Sequence, residues 1–196
     1  MKNDYNKIMK EEIDSILGKK KLLLHVCCAP CSSACLNRLS SFDITLFYYN
    51  PNTFPKSEYD LRFEQFKKLT NLNIIKVAYS HKDFLDNCLK YADENEGGER
   101  CKKCIELRLK TSFEFAKNNG YDYITTTLTT SPHKDATFIN EKGKEFEKIY
   151  GVKFLPCDFK KENGFLNSIK ISKEKNLYRQ DYCGCEFSLK NKEKNI

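Results

Sequence analysis

No apolar run in this chain approaches the roughly 20 residues that a membrane-spanning helix requires. The longest candidate is residues 22–26, so a transmembrane reading fails. The first fourteen residues alternate charged and polar side chains. They lack the apolar centre of a secretory signal, which points to a cytoplasmic protein. There is no internal repeat, and low complexity is confined to the last few residues. Neither a Walker-type loop nor Gly-x-Gly-x-x-Gly occurs, so nucleotide-cofactor binding has no support. Where a nucleotide-binding protein would place glycines after its first strand, this chain places cysteines.

What is present fits one globular domain spanning residues 1–196, with 40% hydrophobic and 31% charged residues. The net charge of +7 suits a polyanionic partner such as nucleic acid. That signal is weak by itself. Lysine outnumbers arginine 29 to 5, a bias that genome composition alone produces. Ten cysteines in a reducing compartment are not expected to pair as structural disulfides. Metal binding or redox chemistry is the leading explanation for them.

The hydrophobic pattern predicts a polar amphipathic helix over residues 4–17, ended by Gly18. A strand at 22–26 leads through Cys27-Cys28-Ala29-Pro30-Cys31 into a short helix reaching Leu39. Further strands are expected at 42–49, 73–79, 121–128 and 152–155. Further helices are expected at 56–69, 83–91, 101–118 and 136–150, with a loop at 92–99 and a frayed polar tail at 187–196. Strands alternating with helices imply a Rossmann-like α/β fold, a parallel sheet covered on both faces. In such sheets sites gather beyond the carboxyl ends of the strands, which places residues 27–31 and 131–134 on one edge.

Seven cysteines fall in three clusters: Cys27, Cys28 and Cys31; Cys101 and Cys104; Cys183 and Cys185. Cys35, Cys88 and Cys157 are scattered. A Cys-x-x-Cys turn at a helix N-terminus lets two thiolates converge on one metal, and the helix end favours the thiolate form. Gly184 permits a bend that turns Cys183 and Cys185 toward one centre. Seven thiols exceed what a single four-coordinate zinc uses. A [4Fe–4S] cluster takes four and leaves sulfurs for a second metal or for chemistry. Two other readings stand beside iron–sulfur: a zinc-stabilised RNA-binding module, and a thioredoxin-like dithiol oxidoreductase using Cys28 and Cys31. The latter leaves two clusters idle.

His25 reads either as a satisfied core histidine or as a partner to a metal ligand. His133, in a polar loop beside Lys134, suits contact with substrate or phosphate. Arg100, Arg108 and Arg179 lie within or beside the cysteine motifs of a chain that otherwise uses lysine. That placement marks positions where bidentate geometry or stacking matters.

Five motifs together carry a family resemblance. They are His25-Val26-Cys27-Cys28-Ala29-Pro30-Cys31, Glu99-Arg100-Cys101-Lys102-Lys103-Cys104 with Arg108-Leu109, and Thr125-Thr126-Thr127-Leu128 through Ser131-Pro132-His133-Lys134. The remaining two are Asp158-Phe159-Lys160-Lys161 and Tyr178-Arg179-Gln180-Asp181-Tyr182-Cys183-Gly184-Cys185. In order and spacing, from about residue 20 to 188, the chain resembles the QueH-type epoxyqueuosine reductases. The resemblance implies a fold related to the adenine-nucleotide α-hydrolase group with its phosphate loop lost. It implies reduction of epoxyqueuosine to queuosine at the wobble position of tRNA, without cobalamin.

It further implies a [4Fe–4S] cluster beside a second metal ion, iron, with ligands drawn from Cys27, Cys28, Cys101, Cys104, Cys183 and Cys185. Cys31 occupies a position where the family also uses aspartate, a residue able to ligate metal or donate a proton. Removal of an epoxide oxygen needs two electrons and two protons. An external one-electron donor such as ferredoxin is therefore implied, and Cys31, His133 and Asp181 are the proton-donor candidates. Ser131, His133, Lys134, Tyr178, Arg179 and Gln180 are the expected substrate contacts. For stacking against anticodon-loop bases the candidates are Tyr48, Tyr49, Phe54, Tyr178 and Tyr182, with core packing the expected role of Tyr48.

Overall fold

A computed structural model describes residues 3–193. The apolar burst near residue 22 becomes β1 (Lys21–His25), and its side chains alternate between two cores. Leu22 and Leu24 enter one, with Met9, Leu46 and Tyr48; Leu23 enters the other, with Phe47, Leu109 and Phe154. A parallel strand buried on both faces requires such an unbroken run.

The remaining strands are β2 (Asp43–Tyr48), β3 (Ile74–Lys76), β4 (Tyr123–Thr126) and β5 (Lys153–Phe154). They form one all-parallel sheet in the order β3-β2-β1-β4-β5. Of the helices, α1 (Tyr5–Ser15), α2 (Ala29–Leu36), α3 (Lys56–Glu64) and α4 (Phe66–Leu69) contribute to the first core. The long α6 (Glu99–Asn118) and α7 (Ala136–Tyr150) fill the second. Between β3 and α6 lies α5 (His81–Cys88), and the chain finishes with α8 (Gly164–Glu174) and α9 (Glu186–Glu193). No helix among the described residues is long and apolar enough to cross a membrane. The expected α/β architecture is the observed one.

Strand connections run one way from β1 through β2 to β3 and the other way through β4 to β5. The carboxyl ends of β1 and β4 therefore mark the point where the strand order reverses, the usual binding position in such sheets.

Beyond shifted element ends, a third strand shortened to Ile74–Lys76 and the helix expected at 56–69 divided into α3 and α4, the structure departs from the sequence expectations in three places. The fourth strand ends at Thr126 rather than residue 128, because the Thr126 hydroxyl accepts the Leu128 N–H and starts a 3-10 turn at Thr127–Thr130. Helix α8 had no sequence signal. Its buried stripe is Gly164, Ser168 and Ser172, small residues packed against α2, so no apolar period marks it. The segment expected as a frayed tail from residue 187 belongs largely to α9, while residues 194–196 lie outside the described residues.

The close entry to α8 is testable. A Cβ on Gly164 would lie 1.7 Å from the Phe159 carbonyl oxygen, a backbone atom that cannot step aside. Gly164→Ala is expected to destabilise the protein by about 1–3 kcal/mol, read as a lower thermal midpoint; an unchanged midpoint would contradict this packing.

Candidate metal centre

The first thiol group is built by the turn from β1 into α2. Cys28 caps α2 in extended backbone, and its Sγ accepts the Cys31 N–H at 3.4 Å. Pro30 sits in the first turn, where its missing N–H costs nothing. This geometry holds the sulfurs of Cys27, Cys28 and Cys31 within 4.8 Å of one another. Thr127, arriving from β4, accepts the Cys27 N–H at 3.2 Å and lies 3.5 Å from its Sγ. Gln180 donates its side-chain N–H to Cys28 Sγ at 3.1 Å.

The three thiols share their protons unequally. Hydrogen bonds from Cys28 and Cys31 hold Cys27 well below the ordinary thiol range. In return the bond to Cys27 pushes Cys28 up to about 12, and contacts with Cys27 and Cys28 raise Cys31. A trio with one acidic sulfur and two reluctant ones is a soft donor set in which a bound metal displaces protons.

The second group comes from α6 and the segment before α9. Cys101, Cys104, Cys183 and Cys185 line one small cavity of about 20 Å³, together with Arg100 and Arg108. Burial pushes Cys104 and Cys185 up to about 12. Cys101 Sγ accepts the Gly97 N–H and Cys185 Sγ the Ser188 N–H. Cys88 packs beside Cys104 and Cys185 under Phe84, so this cysteine, scattered in sequence, lies against the second group. Burial opposes the charge of Lys134, yet the neighbouring Cys183 sulfur holds its pKa up; its Nζ donates to Cys183 Sγ at 3.1 Å. Cys35 and Cys157 are fully buried in the first core and bond to Thr130 and Thr129, which gives them structural roles.

A larger cavity of about 530 Å³ opens over the crevice. Cys27 and Cys31 of the first group and Cys183 of the second line it, and Asn52, Arg108, Lys134 and Cys183 are common to both cavities. Three segments far apart in sequence thus bring cysteines to the walls of two adjoining cavities, while among the described residues the only three sulfurs within 4.8 Å of one another are those of Cys27, Cys28 and Cys31. Ser131, His133, Arg179, Gln180 and Asp181 line the large cavity as well. Tyr178 does not. Its hydroxyl donates to the Glu58 carboxylate, which also accepts from Arg62 Nε at 2.7 Å.

Arg62, Asn52 and Glu58 were not singled out from sequence. Arg62 is 3% exposed, lines the cavity and lies 5.1 Å from the Tyr182 ring centre. Its rarity as an arginine in a lysine-rich chain was the available signal. Of the stacking candidates, Tyr182 alone lines this cavity; Tyr48 is core, its hydroxyl donating to the Tyr59 carbonyl. His25 is a core histidine. Its Nε2 donates to the Tyr49 carbonyl and its Nδ1 accepts from Thr126, while burial and then Arg108 lower its pKa to about 3.

Several buried polar atoms around the sulfurs have no hydrogen-bond partner: Asn52 Oδ1, Gln180 Oε1, Arg62 Nη2, Arg108 Nε, and Arg100 Nε and Nη2. Each such group costs about 1–3 kcal/mol if left unpaired. The four guanidinium nitrogens among them are donors, and they suit the acceptors that appear when nearby thiols become metal-bound thiolates, so the residues present fit a sulfur-ligated metal centre.

This is a parallel α/β protein whose switch-point crevice carries a group of thiols that could hold a metal ion. The family model for epoxyqueuosine reductase QueH matches residues 22–191. The epoxyqueuosine reductase QueH of Staphylococcus aureus (strain Mu50 / ATCC 700699) is 40% identical, over 96% of this chain and 86% of its own. That of Streptococcus pyogenes serotype M1 is 36% identical, over 96% and 79%, and that of Thermotoga maritima 38%, over 86% and 90%. The chain belongs to the QueH epoxyqueuosine reductase family.

The turn between Cys183 and Cys185 provides a test. Gly184 has φ +124°, and a Cβ there would meet Arg62 Nη1 at 2.9 Å and Asn52 Nδ2 at 3.3 Å. Gly184→Ala is expected to displace this turn at a strain of about 1–3 kcal/mol and to lower metal content. Metal analysis beside thermal denaturation checks both; full metal loading at wild-type stability would refute the assignment.

Proposed function

We propose that this protein reduces epoxyqueuosine to queuosine at the wobble position of tRNA, as a cytoplasmic single-domain enzyme carrying a [4Fe–4S] cluster and an adjacent iron ion. The observation that carries the reading is the shared wall: two thiol groups meet at one crevice, and a cavity large enough for a modified base opens over them. Family membership supports the reaction. Ligands are drawn from Cys27, Cys28, Cys101, Cys104, Cys183 and Cys185, with Cys31 as the third sulfur of its group. When bound, the metal centre supplies single electrons and Lewis acidity toward the epoxide oxygen.

The reaction consumes two electrons and two protons, leaves a carbon–carbon double bond and releases the oxygen as water. An external one-electron donor such as ferredoxin provides the electrons. The residues of the chain hold the substrate and deliver the protons. Cys31, His133 and Asp181 line the cavity from which a proton can be given. Ser131, His133 and Gln180 line it as substrate contacts, and Arg179, anchored to Ser168 and Ser172, holds one side. Lys134 serves at Cys183 and Glu96, and Tyr178 acts through Glu58 on Arg62. The anticodon loop presents the unpaired base that such a cavity accepts, with Tyr182 available to stack on it.

Anaerobically prepared protein is expected to be brown, to contain iron and sulfide, and to convert epoxyqueuosine in tRNA to queuosine, read by mass analysis of released nucleosides. A colourless zinc protein that binds RNA without turnover, or a metal-free one that reduces disulfides through Cys28 and Cys31, would overturn the proposal. Among Asp181→Asn, His133→Gln and Cys31→Ser, the variant that removes the proton donor is expected to lose on the order of a hundredfold in kcat with iron retained. Single-turnover rates at matched iron content check this.

A further inference from the structure

We infer that Arg100 and Arg108 are positioning residues that donate N–H···S hydrogen bonds to the metal-bound sulfurs at Cys101 and Cys104 and thereby raise the reduction potential of the centre. The inference rests on the iron–sulfur reading above. Arg100, Cys104 and Arg108 are spaced four residues apart along α6, so they form one stripe with the thiol between two guanidinium groups. Both arginines are nearly inaccessible, at 1% and 3% exposure, and both line the small cavity with the four cysteines.

Each guanidinium is used at one edge and idle at the other. Arg100 Nη1 donates to the carbonyl oxygens of Tyr91, Ala92 and Glu94, strapping the loop that precedes α6, and the group lies 5.0 Å from the Phe187 ring centre. Its Nε and Nη2 have no partner. Arg108 Nη2 donates to Asn50 Oδ1, while its Nε has none. The idle atoms are closed off from solvent, so RNA phosphates do not explain them. The acceptors available in that cavity are chiefly sulfur, a weak acceptor as thiol and a stronger one as thiolate or inorganic sulfide.

Hydrogen bonds to metal-bound sulfur withdraw electron density and favour the reduced, more negative state. A planar fork does this with two N–H groups at once, which explains arginine at these positions in a chain with 29 lysines.

The decisive measurement uses wild-type protein. Iron and sulfide analysis comes first, and their absence overturns the reductase reading itself. With the centre loaded and reduced, pulsed paramagnetic resonance on protein labelled with ¹⁵N in arginine is expected to show hyperfine coupling to guanidinium nitrogen; its absence overturns the present inference alone. In redox titration Arg100→Lys and Arg108→Lys, which keep the charge and lose the fork, are expected to make reduction by a fixed donor about tenfold less favourable. That is a shift of about 59 mV for one electron toward more negative potential. Unchanged potentials at wild-type iron and sulfide content would also overturn it.

Discussion

The register between β1 and β4 is the constraint on which the site depends. Leu22 stands opposite Tyr123 and His25 opposite Thr126, so both strands end level and their loops leave the sheet side by side. Cys27 then meets Thr127 through its backbone N–H and its sulfur. His25 locks this pairing from within, bridging Thr126 on β4 and the Tyr49 carbonyl at the end of β2. A neutral imidazole buried between three strand ends is a structural pin for the loop that carries Cys27 and Cys28. A slip of one residue would turn Cys27 and Thr127 to opposite faces of the sheet.

Charge is arranged to match. Arg108 reaches between the two thiol groups, while Arg62, Arg100 and Lys134 stand around them. Cations buried beside neutral thiols are unfavourable; beside thiolates holding a metal they would be compensated. Lys134 has its partner already in Cys183 and Glu96, whereas Arg62, Arg100 and Arg108 keep buried guanidinium nitrogens without a partner. α9 closes this arrangement: Glu186 binds His81, Phe187 covers Arg100, and Ser188 bonds the Cys183 N–H and the Cys185 sulfur region.

The parallel sheet was readable from local pattern because β1 and β2 are dense in apolar residues and the main helices, such as α6 and α7, carry a 3.6-residue apolar period. α8 escaped because close approach to α2 demands Gly164, Ser168 and Ser172 where most helices bury leucine. α9 escaped because it is anchored by His81, Arg100 and Glu96, none of them near it in sequence. Local propensity is blind to partners brought by the fold.

At the site, residue type and spacing singled out the thiols of Cys27, Cys28, Cys31, Cys101, Cys104, Cys183 and Cys185, and of these the structure gathers Cys27, Cys28 and Cys31 within 4.8 Å of one another. Residue type and spacing singled out the family motifs as well. Which sulfurs stand together, that Arg62 and Asn52 wall the cavity, that Tyr178 turns to Glu58, and that Cys88 lies against the second group were decided by tertiary structure alone. The physical reason is distance along the chain. A motif records chemistry within a few residues, whereas a cavity wall is assembled from strand order, register and helix packing, and no short stretch of sequence carries those.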